Sequence, residues 1–174
     1  MDLSQTVFEL IDMRSFSNLW YWIALAVAWS SASHWVLGVP WDTVLRARRV
    51  GGQSEQDLTD LVRINSNRIL HIADVSGVWL ILLSFFVHTL LIGLGFFYAV
   101  EFAQAVFLIL GPMTLVGAMS VRTARIIQAE SCVGDDLRRR LGRHRFWVQL
   151  IGMLSIFVTS LWGMYQNFSI SPLG

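Results

Sequence analysis

The 174-residue chain carries little charge, no lysine and a single cysteine. Charged residues make up 14% and hydrophobic residues 55% of it, whereas soluble domains have about 25% charged residues. This composition indicates lipid as the surrounding solvent. With Cys132 alone, the chain cannot form an intrachain disulfide or hold an iron–sulfur cluster by itself, since such clusters need four cysteines or two with two histidines.

The chain also lacks the motifs that accompany catalysis. It contains no GxSxG, no HExxH, no phosphate-binding loop and no paired membrane carboxylates. We therefore predict a protein that is not an enzyme and that needs no cofactor.

Stretches without charge predict four transmembrane helices in an all-α bundle. A membrane helix needs about 20 predominantly apolar residues. Residues 15–41 carry no charge at neutral pH, residues 75–121 contain only Glu101, and no charge follows Arg145. Gly93 and Gly95 can break the helix between the second and third spans. The predicted spans are 17–39, 75–92, 96–120 and 146–165.

The distribution of arginine predicts the orientation. All thirteen basic residues are arginine; the loops 40–74 and 121–145 hold five and seven of them, and the N-terminal tail holds only Arg14. Short loops rich in arginine stay in the cytoplasm, so both termini are predicted on the opposite side of the membrane. The N-terminal sequence MDLSQTVFELIDMR has no positive n-region, and we expect it to be retained.

The two cytoplasmic loops are expected to be helical. In the first loop, Leu58, Leu61, Val62, Ile69 and Ile72 recur at helical spacing, which predicts an amphipathic helix that continues into the second span. The second loop is predicted to extend the third span as far as Gly134 and to begin a new helix, capped by Asp135, that leads into the fourth.

Arginine clusters at the membrane boundary are candidates for binding anionic lipid headgroups or a soluble protein partner. A juxtamembrane arginine attracts anionic lipid by about 1 kcal/mol, although the arginines could equally serve only to fix orientation. Nucleic-acid binding is not expected, because the clusters lie at the bilayer. The cluster residues are Arg46, Arg48, Arg49, Arg138, Arg139, Arg140, Arg143 and Arg145.

Ionisable residues inside a membrane are costly and so are suspected of function. Glu101, Gln104 and His88 could form a polar cluster or proton site at the outer interface; alternatively, Glu101 is a partly hydrated carboxylate favoured by a helix N-terminus. At the cytoplasmic face His34 could approach His71 and Asp74, or serve only helix packing. No ligand spacing supports a metal site, and none is predicted.

Small residues and one tryptophan mark packing positions on the first span. Ala24, Ala28 and Ala32 form a ridge at a spacing of four, which allows helices to approach closely in lipid. Trp29 lies near mid-membrane, away from the interface that indoles prefer. It is expected either to pack between helices or to face lipid.

Two segments carry a family resemblance. FELIDMRSFSNLWYWIALAVAWSSASHWVLGVPW and the later DLVRINSNRILHIADVSG resemble small membrane proteins of Rhodobacter-type alphaproteobacteria, often labelled as a component of the SufBCD complex. That complex assembles iron–sulfur clusters. The resemblance implies that the chain anchors soluble assembly proteins at the membrane.

Three functions remain open on the sequence. The favoured one is a non-catalytic accessory or scaffold protein whose basic cytoplasmic loops meet lipid and a soluble partner. The second is a small transporter or channel that uses Glu101 and His88. The third is a cofactor-binding membrane subunit.

Overall fold

The computed structural model describes residues 15–169, with side chains described as far as Phe168. The predictions for the N-terminal 14 residues and for the end of the C-terminal tail lie outside the described residues. The described part begins with a 3-10 turn, Ser15–Ser17, and is otherwise almost entirely helical. Its further elements are α1 (Leu19–His34), β1 (Trp35–Val36), β2 (Val39–Pro40), α2 (Trp41–Val50), α3 (Gln53–Ile92), a π-helical turn (Gly93–Phe97), α4 (Glu101–Ala129) and α5 (Gly134–Ser169).

Within residues 15–169, three helical segments are long and apolar enough to cross a membrane: Gln53–Phe97, Glu101–Ala129 and Gly134–Phe168. Each extends beyond its apolar part into the neighbouring loop, in line with the amphipathic extensions expected from the sequence. Helix α1 is shorter than the predicted span 17–39, since it ends at His34 after 16 residues. At 1.5 Å per residue this is about 24 Å.

A small hairpin ends α1 in place of the helical turns that the sequence predicts. Trp35 pairs with Pro40 and Val36 with Val39 in an antiparallel ladder. Leu37 and Gly38 both have positive φ, at 52° and 75°, as a two-residue hairpin turn of the primed type requires. The Asn65 side chain of α3 donates to the carbonyl of Gly38 over 3.2 Å, which holds the hairpin against α3.

The helical hairpin between α3 and α4 reverses later than the glycines suggest. Gly93–Phe97 continues α3 as a π-helical turn, and the residue with positive φ is Ala99. Gly95 serves a close approach instead: a Cβ there would lie 3.1 Å from the backbone nitrogen of Gln104. The reversal therefore follows the two glycines instead of lying at them, and Gly95 permits close packing instead of ending the helix.

Most of the tightly buried apolar side chains lie at one end of the bundle, in a unit that we call the head (residues 35–74 and 121–145). The head joins the β1–β2 hairpin, α2 and the polar ends of α3, α4 and α5 around one core. In contrast, only 6% of the most apolar 18-residue window of α3 is buried within the protein. The core residues are Val36, Leu37, Val39, Val44, Ala47, Leu58, Val62, Ile127, Leu137 and Leu141.

Helix α1 packs along α5 through glycines. The Trp29 ring lies against Gly152, where an added Cβ would come within 2.8 Å of Trp29 Cε3. Phe16 and Trp22 lie against Gly163 in the same way, at 3.4 Å. Trp29 is thus packed between helices, and it is 4% exposed.

Candidate functional site

Three of the predicted cluster arginines are engaged within the head. Arg138 donates to Glu55 over 2.7 Å and also pairs with Asp135, while Arg140 pairs with Glu130. Arg145 donates from Nε to the carbonyl of Ser33 over 3.1 Å. Its guanidinium also stacks on Trp41, 4.4 Å from the ring centroid. The contacts of Arg138 with Glu55 and of Arg145 with Ser33 join segments that are distant in sequence, so these two arginines have a structural role. Arg140 pairs locally, across the turn between α4 and α5.

The contact between Arg138 and Glu55 connects the two predicted cytoplasmic loops directly. Arg138 is well shielded, and it bridges Glu55 on α3 to Asp135 at the start of α5. The hydrogen bond from Arg138 lowers the pKa of the Asp135 carboxyl. The contact with Arg138 therefore favours the ionised form of this carboxyl.

The other five cluster arginines face solvent. Arg139 and Arg143 are exposed on α5, four residues apart, and so lie on the same face of that helix. Helix α2 buries Val44 and Ala47 in the head core and directs its own arginines outward. None of the five forms an ion pair with another residue in the range 15–169. The set is Arg46, Arg48, Arg49, Arg139 and Arg143.

Two open grooves border Arg139. One has a volume of about 430 Å³ and lies between the α4–α5 loop and α5; Arg139, Arg140 and Arg143 line it together with Glu130 and Asp136. The other groove, of about 440 Å³, lies between α2 and α5 and is lined by Arg48, Arg139 and the Trp41 indole, among others. The head therefore offers recesses that combine cationic side chains with polar and aromatic ones.

The structure does not bring Glu101, Gln104 and His88 together as one hydrogen-bonded cluster. Glu101 is the first residue of α4, as the sequence indicates, and its Oε1 accepts from the backbone N–H of Phe16 over 2.7 Å. This carboxylate thus holds the segment before α1 against the α3–α4 hairpin. A half-buried carboxylate at a helix N-terminus agrees with the partly hydrated alternative, whereas the contact with Phe16 was not predicted.

Gln104 is a buried connector at the outer end of the bundle. Its Nε2 donates to the carbonyl of Gly95 over 2.7 Å, and its Oε1 accepts from Trp162 Nε1 over 2.9 Å and from Gln166. The side chain is 3% exposed. Because its oxygen and nitrogen both have partners, Gln104 ties α5 to the α3–α4 hairpin.

His88 belongs to the aromatic packing beside this connector. Its Nδ1 lies 2.7 Å from the carbonyl of Ser84, one turn earlier on α3. The imidazole meets Phe107 edge to face at 5.9 Å. Its Nε2 is buried and has no hydrogen-bond partner among the described residues.

The proposed cluster of His34, His71 and Asp74 does not assemble. His34 Nε2 lies 3.5 Å from Asp42 on α2, and Asp74 pairs with Arg125 on α4 at 3.6 Å. No group of three or more histidine, cysteine, aspartate and glutamate side chains within residues 15–169 is placed to hold a metal ion. The hairpin at Trp35 explains the difference, because it brings α2 next to the end of α1.

Sequence reasoning missed His144, a polar residue of the head. It is buried between α4 and α5, with Nδ1 3.1 Å from Thr123 Oγ1 and Nε2 3.4 Å from Ser120 Oγ. Its place between Arg143 and Arg145 made it look like part of an exposed basic run. The signal that could have found it is the helical spacing from Leu137 and Leu141, which puts His144 on the same buried face.

Comparison with protein-family models, with curated proteins and with solved structures finds no match for this chain.

Proposed function

We propose that the protein is a four-span membrane scaffold whose head lies on the cytoplasmic side of a bacterial inner membrane and docks a soluble protein. The observation that carries this proposal is the uneven packing of the chain. The head has a continuous apolar core, whereas the apolar part of α3 is almost entirely exposed. Lipid can cover such a surface, and a packed polar head can hold a defined binding face.

The packing of α1 supports a fourth crossing. Helix α1 alone is short of the roughly 30 Å hydrocarbon thickness. It nevertheless contacts α5 at both Gly152 and Gly163, and both glycines lie within the predicted span 146–165. If α5 crosses the membrane there, α1 lies beside it at the same depth, and the flanking residues 15–18 and 35–39 complete the crossing.

The contacts between the two arginine-rich loops support the topology. The head core and the Arg138–Glu55 contact hold both loops at one end of the bundle, as a hairpin of two spans between them requires. The excess of arginine at that end supports a cytoplasmic location. The α3–α4 hairpin and both termini then lie outside.

A docking role agrees with the chemistry of the head surface. Arginine is favoured at protein interfaces, both for its fork of hydrogen-bond donors and for its buried stem. Arg46, Arg48 and Arg49 are presented by a short helix whose other face is fixed in the head core. Such a surface suits an acidic partner. On the basis of the family resemblance, we propose the SufBCD iron–sulfur assembly complex as that partner.

A transport function is supported less well. It needs Glu101 and His88 to be available to a substrate or proton. His88 Nε2 is buried without a hydrogen-bond partner among the described residues, whereas the Glu101 and Gln104 side chains make contacts between elements. A scaffold needs only that these contacts hold the helices together.

Purification of the tagged full-length protein in mild detergent tests the docking role. The purified SufBCD complex is expected to be retained by the wild type, and retention should fall at least tenfold in the double variant Arg46→Gln, Arg49→Gln. The double variant Arg139→Gln, Arg143→Gln removes the same charge from α5 and should retain the complex. Equal retention by all three proteins, or none by the wild type, would reject this partner and this surface.

A further inference from the structure

One face of α5 combines two unpaired arginines with an aromatic ring at the predicted membrane boundary. Arg139, Arg143 and Phe146 are spaced by four and three residues, so they lie on one side of the helix. All three are exposed, and the Phe146 side chain is 58% exposed. Phe146 begins the predicted span, and Arg143 precedes it by about 4.5 Å of helix rise.

The position of Arg143 matches the level of lipid phosphates. Phe146 is the first residue of the predicted span 146–165, which puts its apolar ring at the edge of the hydrocarbon. The guanidinium of Arg143 then extends into the headgroup layer. Arg139 lies about 6 Å further along the helix, still within reach of the same headgroup because its side chain is long.

The groove beside these arginines has room for a headgroup. Its volume is about 430 Å³, and the α4–α5 loop forms its other wall. Two carboxylates also line it. Glu130 is neutralised by its ion pair with Arg140, and Asp136 lies at the end farther from the span. The end near the membrane therefore carries the unpaired positive charge.

We propose that this groove binds the phosphate of an anionic glycerophospholipid through Arg139 and Arg143, with Phe146 against the upper part of the acyl chains. The proposal rests on the membrane topology proposed above. A guanidinium contacts phosphate oxygens through two parallel hydrogen bonds. Two such groups one turn apart, on a helix held by the head core, can clamp one phosphate without reorganising the protein.

Native mass spectrometry of the full-length protein tests this site. The protein is released from detergent micelles that contain phosphatidylglycerol or, separately, phosphatidylcholine. The wild type is expected to retain phosphatidylglycerol in preference to phosphatidylcholine. Each juxtamembrane arginine contributes about a fivefold factor to affinity, so Arg139→Gln with Arg143→Gln should lower retention about twenty-five-fold.

The variant pair on α2 is the control for charge alone. Arg46→Gln with Arg49→Gln removes the same two charges and should change retention less than threefold. A similar loss in both double variants would overturn the site in favour of general attraction. Loss of bound lipid upon addition of millimolar inorganic phosphate would also overturn it, since the groove would then be a site for free phosphate.

The membrane anchor itself is checked in the same preparation by flotation with vesicles. A protein that floats but shows no lipid preference would contradict the lipid site and leave the proposed scaffold intact. A protein that does not float would contradict the membrane topology on which both proposals depend.

Discussion

Replacing Leu141 by alanine is expected to lower the free energy of unfolding by about 2–5 kcal/mol, the usual cost of a large cavity in a close-packed core. Leu141 is 0% exposed, and it belongs to the core that joins α5 to the hairpin and to α2. A loss of this size is a large part of the stability of a small protein. The change is measured by titrating the protein from mild detergent into denaturing detergent while following tryptophan fluorescence.

Leu154→Ala is the matched control for this prediction. Leu154 lies on the same helix, is the same residue type and is 56% exposed. If lipid or detergent covers the Leu154 side chain, its surroundings change little on unfolding. We therefore expect Leu154→Ala to change the free energy of unfolding by less than about 1 kcal/mol. Equal effects at the two leucines would contradict a head that is packed more tightly than the spans.

Gly152→Ala is expected to destabilise the protein by about 1–3 kcal/mol, the cost of overpacking. The new methyl group would lie 2.8 Å from Cε3 of Trp29 and 3.1 Å from Cδ2. The ring is rigid and sits between two helices, so relief requires α1 to move from α5. The intrinsic gain of about 1 kcal/mol from glycine to alanine in a helix does not offset this clash. The same detergent titration measures the loss.

Two variants separate the clash from a general effect of alanine. Gly117→Ala on α4 has no atom within 4 Å of the added Cβ, so it should leave stability unchanged or raise it slightly. In a Trp29→Leu background the rigid ring is absent, so Gly152→Ala should lower the free energy of unfolding much less than it does in the wild type. A full loss that persists in that background would show that Trp29 is not the cause.

Composition and charge spacing were sufficient to predict the all-α class and the three helices that are long and apolar enough to cross a membrane. These features follow from local chemistry: uncharged runs of about 20 residues, and arginines that end them. The reversal between α3 and α4 was expected at Gly93 and Gly95, but the helix continues through Phe97 and the positive φ belongs to Ala99. Gly95 instead lies where Gln104 comes close.

The head could not be predicted, because its contacts join residues far apart in sequence. The two-residue turn at Leu37 and Gly38 has no glycine pair or asparagine to mark it. A leucine in the left-handed region is tolerated because its side chain is buried in the head core. Because this hairpin was not predicted, the sequence could not show that His34 lies next to Asp42 and not next to His71.

The sequence also could not separate structural from unpaired arginines. Arg138 and Arg139 are neighbours in one basic run, yet only Arg138 faces Glu55. The alanine ridge of α1 gave a similar ambiguity: Leu25 and Trp29 form the buried face, and Ala24 is exposed. The small residues that admit close packing are glycines on the partner helix, which α1 alone does not reveal.

Accessibility of single cysteines in intact cells is the most direct test of the proposed topology. Cys132→Ser removes the only cysteine; Tyr98→Cys then marks the exposed α3–α4 hairpin, and Gln56→Cys marks an exposed position of the head. A maleimide that cannot cross membranes is expected to label the Tyr98→Cys protein in intact cells, and the Gln56→Cys protein only after permeabilisation. Labelling of both positions from outside, or of the head alone, would contradict a cytoplasmic head on a four-span anchor.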